Sequence, residues 1–184
     1  MRLGISGDRH LTAELLGKTI QSDKTVDFNN QLHQVAWSIE QNGNQTTVCF
    51  FDGKTQIGSQ VIDGIYKGTS SLWLGIDWVD INKNFIGNML EFRLWNRAMT
   101  ASELSLYSCK TLTGYEIGLL DYYRLNEGEG SFSYDHAPGA ADLTIGSATW
   151  KRPVGISMKL DGHKGIHLKG DKFASSRNQD YTLR

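Results

Sequence analysis

Residues 33–54, HQVAWSIEQNGNQTTVCFFDGK, alternate apolar and polar side chains and break at two glycine turns. Val35, Trp37 and Ile39 fall on one side of an extended chain, and Ala36, Ser38 and Glu40 fall on the other. A period of two predicts a strand buried on one face. QNGNQ and Asp52-Gly53-Lys54 predict tight hairpin turns that bring successive strands side by side. The same habit returns in SLWLGI, FIGNMLEFRLW, LLDYYRL, ADLTIG, GISMKL and GIHLK. In FIGNMLEFRLW the pattern puts Leu90, Phe92 and Leu94 on one face and Glu91 and Arg93 on the other. Short strands at this spacing predict an all-β protein, a two-sheet antiparallel sandwich of the jelly-roll kind. Twenty glycines against two prolines suit the many turns such a fold needs. One short helix is expected near residues 101–108. Thr100 and Glu103 have the spacing of a reciprocal capping box, and Leu104 and Tyr107 would then face inward.

The 184 residues suffice for one domain, or two very small ones. A net charge of −1 leaves no broad basic field for nucleic acid or for an acidic membrane surface. No apolar run reaches the roughly 18–20 residues of a membrane span, so no membrane insertion is expected. The opening RLGISGDRHL has no apolar core of a secretory signal, and a signal further upstream is compatible with that. Cys49 and Cys109 are expected as two buried free thiols, with a disulfide as the alternative. No phosphate loop, nucleotide fingerprint or zinc spacing occurs. His163 and His167 are four apart, but in a stretch that reads as turn and strand.

FIGNMLEFRLWNRAMTASEL, residues 85–104, resembles the last strand and following helix of laminin-G-like domains of the concanavalin A-like class. Gly87, Arg93, Trp95, Asn96, Arg97, Ala98 and Glu103 match that family's pattern in order. LHQVAWSIEQNGNQTTVCFFDGK is similar to its W-H-H-V-A strand and D-G-K turn, with Leu32 and Gln34 as departures. GLLDYYRLNEGEGSFSYDHA resembles the family's opening, and ATWKRPVGISMKLDGHKGIHL its next strands. The order is permuted. Residues 1–113 look like the second half of one unit, and residues 114–184 like the first half of the next. The chain thus ends, at Tyr181-Thr182-Leu183, on the start of a strand. The expectation is that the two halves close on each other as one permuted domain, the alternative being a homodimer that exchanges halves. The resemblance further implies a non-catalytic binding module for a glycan or a protein, within a larger extracellular, cell-surface or periplasmic protein. A structural spacer in a tandem array is the other class of role, and a glycoside hydrolase the third.

Three chemistries can be weighed on named residues. Glycosidases need two carboxylates flanking the sugar bond. Glu127 and Glu129 sit among turn glycines, while Asp77 and Asp80 are three apart and so on opposite sides of a strand. No enzyme is therefore expected. Calcium needs six to eight oxygens, and the resemblance offers Asp135 in NEGEGSFSYDHAPG and Asp161 in LDG as candidate ligands, against the bland reading of a side chain closing its own turn. Sugar binding needs an aromatic ring beside hydrogen-bonding groups. Trp73, Asp77, Trp78, Asp80 and Asn82 lie together in SSLWLGIDWVDINKN. Trp78 is the expected exposed ring, and Trp73, between Leu72 and Leu74, is weighed as core.

Overall fold

The structure, a computed structural model, describes residues 1–29, 31–68, 71–77, 80–108, 110–139, 141–151, 157–161, 166–169 and 181–183. Along the chain run β1 (Arg2–Ile5), β2 (His10–Leu15), β3 (Lys18–Thr25), β4 (Val35–Asn42), β5 (Gln45–Asp52) and β6 (Thr55–Asp63). Then come β7 (Ser71–Leu74), β8 (Ile86–Met89), β9 (Phe92–Trp95), the helix α1 (Ala101–Tyr107), β10 (Leu119–Tyr123), β11 (Phe132–Ser133) and β12 (Leu143–Ile145). The last are β13 (Thr149–Lys151), β14 (Ser157–Asp161), β15 (Ile166–Lys169) and β16 (Tyr181–Leu183). Among the described residues the fold is all-β and antiparallel with one short α-helix, as the periodicity predicts. The chain divides into two compact bodies, one of Met1–Gly68, Leu94–Leu112 and the described part of Ser176–Arg184, the other within Thr69–Arg93 and Thr113–Ser175.

In the first body β1, β2 and β3 form a meander, and a second sheet has the order β9-β16-β4-β5-β6. Both expected hairpins form. Asn42 pairs with Gln45 and Asp52 with Thr55. Gly43 (φ 59°) and Gly53 (φ 56°) take the left-handed first turn position that a side chain disfavours. β4 departs from the expected half-burial, because Ala36 and Ser38 are buried along with Trp37 and Ile39. One face meets the meander, where the Trp37 indole N–H donates to the Thr12 carbonyl at 3.0 Å. The other lies under the chain entering α1, where the Met99 amide donates to Ser38 Oγ at 3.0 Å. Thr100 and Glu103 form the predicted capping box, and Leu104 is buried. The chain's last strand, β16, lies between β4 and β9, with Tyr181 opposite Ile39 and Leu183 opposite both Trp37 and Leu94.

The meander of residues 2–25 is the part of this body that the sequence reading passed over. Its signal is visible in HLTAEL, where Leu11, Ala13 and Leu15 are buried and His10, Thr12 and Glu14 are not. β3 approaches β6 so closely that a Cβ on Gly58 would sit 2.6 Å from the Asp23 amide nitrogen, so the contact admits only glycine there.

The second body holds the sheets β11-β12-β15-β7 and β13-β14-β8. Here FIGNMLEFRLW is two strands rather than one. β8 stops at Met89, and β9 resumes at Phe92 after Leu90-Glu91. Arg93, placed by the pattern on the face opposite Phe92 and Leu94, is only 1% exposed. It is held inside by an ion pair with Glu91 and by the Tyr122 ring, whose centroid lies 5.3 Å from the guanidinium carbon. A buried charge with these partners is tolerable; without them it would be costly. Cys49 is a half-buried free thiol, and Cys109 lies outside the described residues.

Candidate functional site

The sheet β11-β12-β15-β7 has two unlike faces. On one, Leu74, Leu143 and Ser133 are buried, with Leu72 and Ile145 half-buried. On the other, the register aligns one residue from each strand in a row. Phe132 pairs with Thr144, Thr144 with His167, and His167 with Trp73. Residues directly opposite one another share a face, so this row crosses the whole sheet. Trp73 is 38% exposed and Phe132 47%, and Thr144 is exposed between them. Tyr134, 56% exposed, lies two residues beyond Phe132.

The Phe132 end of the row is held by hydrogen bonds within the same body. Before Phe132, the Trp150 indole N–H donates to the Gly130 carbonyl at 3.0 Å, and the Ile145 amide to the Ser131 carbonyl at 2.8 Å. After it, Glu127 Oε1 accepts from Ser133 Oγ and the Tyr134 amide, both at 2.8 Å. Glu127 thereby closes a loop whose start is strained: Leu125 is fully buried with a left-handed φ of 51°. This gives the NEGEG stretch a positioning job. At the other end, Leu74, next to Trp73 on β7, is buried.

The loop after Trp73 contains most of the sequence-predicted sugar ligands. Asp77, Asp80 and Asn82 do come together, and their hydrogen bonds shape the loop itself. Asp77 Oδ1 accepts from the Asp80 amide at 3.1 Å, and Asp80 Oδ1 from the amide and side-chain nitrogens of Asn82, each at 3.1 Å. Asn84, which the sequence reading did not single out, accepts the Asp77 amide at 2.6 Å and is itself buried. Trp78 lies outside the described residues. Trp73, weighed as core between two leucines, is on the solvent side. Strand alternation puts its neighbours in the core and the indole out.

Asp135, the predicted calcium ligand, uses Oδ1 to accept the Tyr122 amide at 3.0 Å and the Ala137 amide at 2.8 Å. The second bond is the side chain closing its own turn. Burial, with the charges of Asp121, Asp135 and Asp142, pushes the Tyr123 phenol far up, and it donates to the Ala141 carbonyl at 2.6 Å. Among the described residues no group of three or more Asp, Glu, His or Cys side chains is arranged to hold a metal ion. Asp161 lies in β14, opposite Ile86, and only its backbone is described.

For catalysis, Glu127 is occupied as a loop closure and Glu129 is exposed beside it. In the first body Asp8, His10 and Ser22 come into the order of a nucleophile relay. His10 Nε2 is 4.0 Å from Asp8, and Nδ1 is 3.5 Å from Ser22 Oγ. Ser22 Oγ, however, gives its hydrogen to the Lys24 carbonyl at 2.6 Å and is 1% exposed, so it reaches no substrate.

A laminin G family model, described as the concanavalin A-like lectin/glucanases superfamily, matches residues 1–105. No curated protein and no solved structure matches the chain.

Proposed function

We propose a function from one premise: the chain belongs to the concanavalin A-like lectin/glucanases superfamily, as a laminin G-like domain. Domains of this kind are carbohydrate- or protein-binding modules. The finer reading is a non-catalytic module that binds carbohydrate through the outer face of β11-β12-β15-β7, within a larger extracellular or surface protein. The observation that carries it is the pair of exposed rings, Trp73 and Phe132, at the two ends of one register row. Aromatic rings stack on the apolar faces of sugars, and the polar positions between them can meet hydroxyls. No helix among the described residues is long and apolar enough to cross a membrane.

Asp135 Oδ1 already accepts two backbone amides, and binding on this face is proposed to need no calcium. A printed glycan array tests the reading, with the unaltered chain, Trp73→Ala, and excess chelator run in parallel. Retention by the unaltered chain is expected, unchanged by chelator and weakened about tenfold or more by Trp73→Ala. An empty array would sink the carbohydrate reading and favour a protein ligand or a spacer role. Retention abolished by chelator would return the site to the calcium candidates Asp135 and Asp161.

A further inference from the structure

We infer that β6 is a docking edge for a second copy of this chain, the two β6 strands pairing antiparallel about a two-fold axis near Ser59. β6 (Thr55–Asp63) ends its sheet, with β5 hydrogen-bonded on one side and no strand among the described residues on the other. The Gly64 amide donates to the Asn44 carbonyl at 2.7 Å, which sets the phase of the alternation along the strand. Gly58, Gln60 and Ile62 turn their backbone N–H and C=O toward β5, and Ser59, Val61 and Asp63 turn theirs outward. Those three outward residues are exposed, Val61 at 58%. β3 leaves this edge open, because it lies against a face of β6. It meets the Cβ direction of Gly58, and the Gln60 side-chain nitrogen donates to Asp23 Oδ1 at 3.3 Å. The pairing is independent of the carbohydrate reading, whose face belongs to the other body.

Edge strands of folded proteins are commonly guarded by charge, by proline or by a bulge. β6 carries neither charge nor proline from Thr55 to Ile62. Its register with β5 is unbroken over 58–63, and the shift opposite Phe50 and Phe51 falls before that stretch. The charges stand at the two ends, Lys54 just before the strand and Asp63 as its last residue, both exposed. In an antiparallel pair of copies the Lys54 end of each strand meets the Asp63 end of the other, so the attraction is made twice. A parallel pair would set like charges together. This complementarity selects a second copy in an isologous arrangement, and a net charge of −1 raises little repulsion between copies. Pairing through one strand covers less than the roughly 1,200 Å² of a stable interface, so the dimer is weak and forms only at high concentration.

Analytical ultracentrifugation of the full chain over about a hundredfold range of concentration tests this. The expected result is a reversible monomer–dimer equilibrium, with dimer at the upper end of the range. Val61→Lys places a charge on the open edge and should raise the dissociation constant about tenfold or more, while the thermal midpoint of the dilute protein stays near its original value. Lys54→Glu and Asp63→Lys should each weaken the dimer, because each sets like charges together at both ends. The double variant should recover it. A chain monomeric throughout the range would overturn the inference and leave the edge to a strand of another polypeptide. A dimer that survives dilution would point to exchanged halves, and one indifferent to Val61→Lys to a different surface; either overturns it. A double variant as weak as the single ones would mean that the two ends do not meet, and the antiparallel second copy would fall as the occupant.

Discussion

The hairpins β4-β5-β6 and the sheet β11-β12-β15-β7 are written in the same alternating code and are used in opposite ways. The first is long, with strands of eight or nine residues, and β4 is covered on both faces. Trp37 reaches the meander, and Ser38 sits under the chain leading to α1. The second has strands of two to four residues, one buried face, and aromatic rings on the other. Alternation alone specifies which residues share a face. What lies against the second face is decided by other parts of the chain. Covered on both faces, a sheet contributes stability; left open with rings in register, it offers a surface.

Paired aromatic truncations should break this comparison if it is wrong. Phe50 is fully buried on β5, and Phe50→Ala should cost about 3–5 kcal/mol in chemical denaturation. Phe132→Ala removes a half-exposed ring and should cost less than about 1 kcal/mol, while weakening glycan retention. Equal stability losses at the two sites would mean that Phe132 is a core residue and that the face is not open.

A smaller effect sharpens the account of how β4 is covered. Thr100→Ala removes the cap that starts α1 and should cost about 1 kcal/mol without touching glycan retention. The Thr100 amide holds the Glu103 carboxyl below its usual value of 4.5; burial opposes it, and the Arg97 and Thr100 side chains add to the lowering. A carboxylate with a depressed folded-state pKa stabilises fully above the unfolded value and loses that contribution as pH falls through the folded one. Stability should therefore fall on acidification below about pH 4.5, and Glu103→Gln should reduce that slope. An unchanged slope would mean that the cap does not carry the charge-dependent part.

Much of this architecture could be read in residues. The Asn42-Gly43 and Asp52-Gly53 turns, the capping box and the strands around Trp37, Phe50 and Tyr122 all follow from local pattern. Two things did not. Glu91 shares a face with Arg93 in the sequence pattern, but the Tyr122 ring that helps bury Arg93 comes from a segment well downstream and cannot be read from the local pattern. Phe132 and Thr144 drew no attention because their meaning lies in register with Trp73, and register joins segments more than fifty residues apart. Trp73 drew attention for its neighbours in sequence, Asp77, Asp80 and Asn82, which serve the loop's own hydrogen bonds.

Hydrogen exchange, followed amide by amide with and without a saturating neutral oligosaccharide, tests the central claim most directly. The account predicts slowed exchange at Ser71–Leu74, Phe132–Ser133, Leu143–Ile145 and Ile166–Lys169 together, with the loop of residues 75–85 and the turn at Asp135 unchanged. Protection confined to that loop or to that turn, with the four strands unaffected, would contradict it.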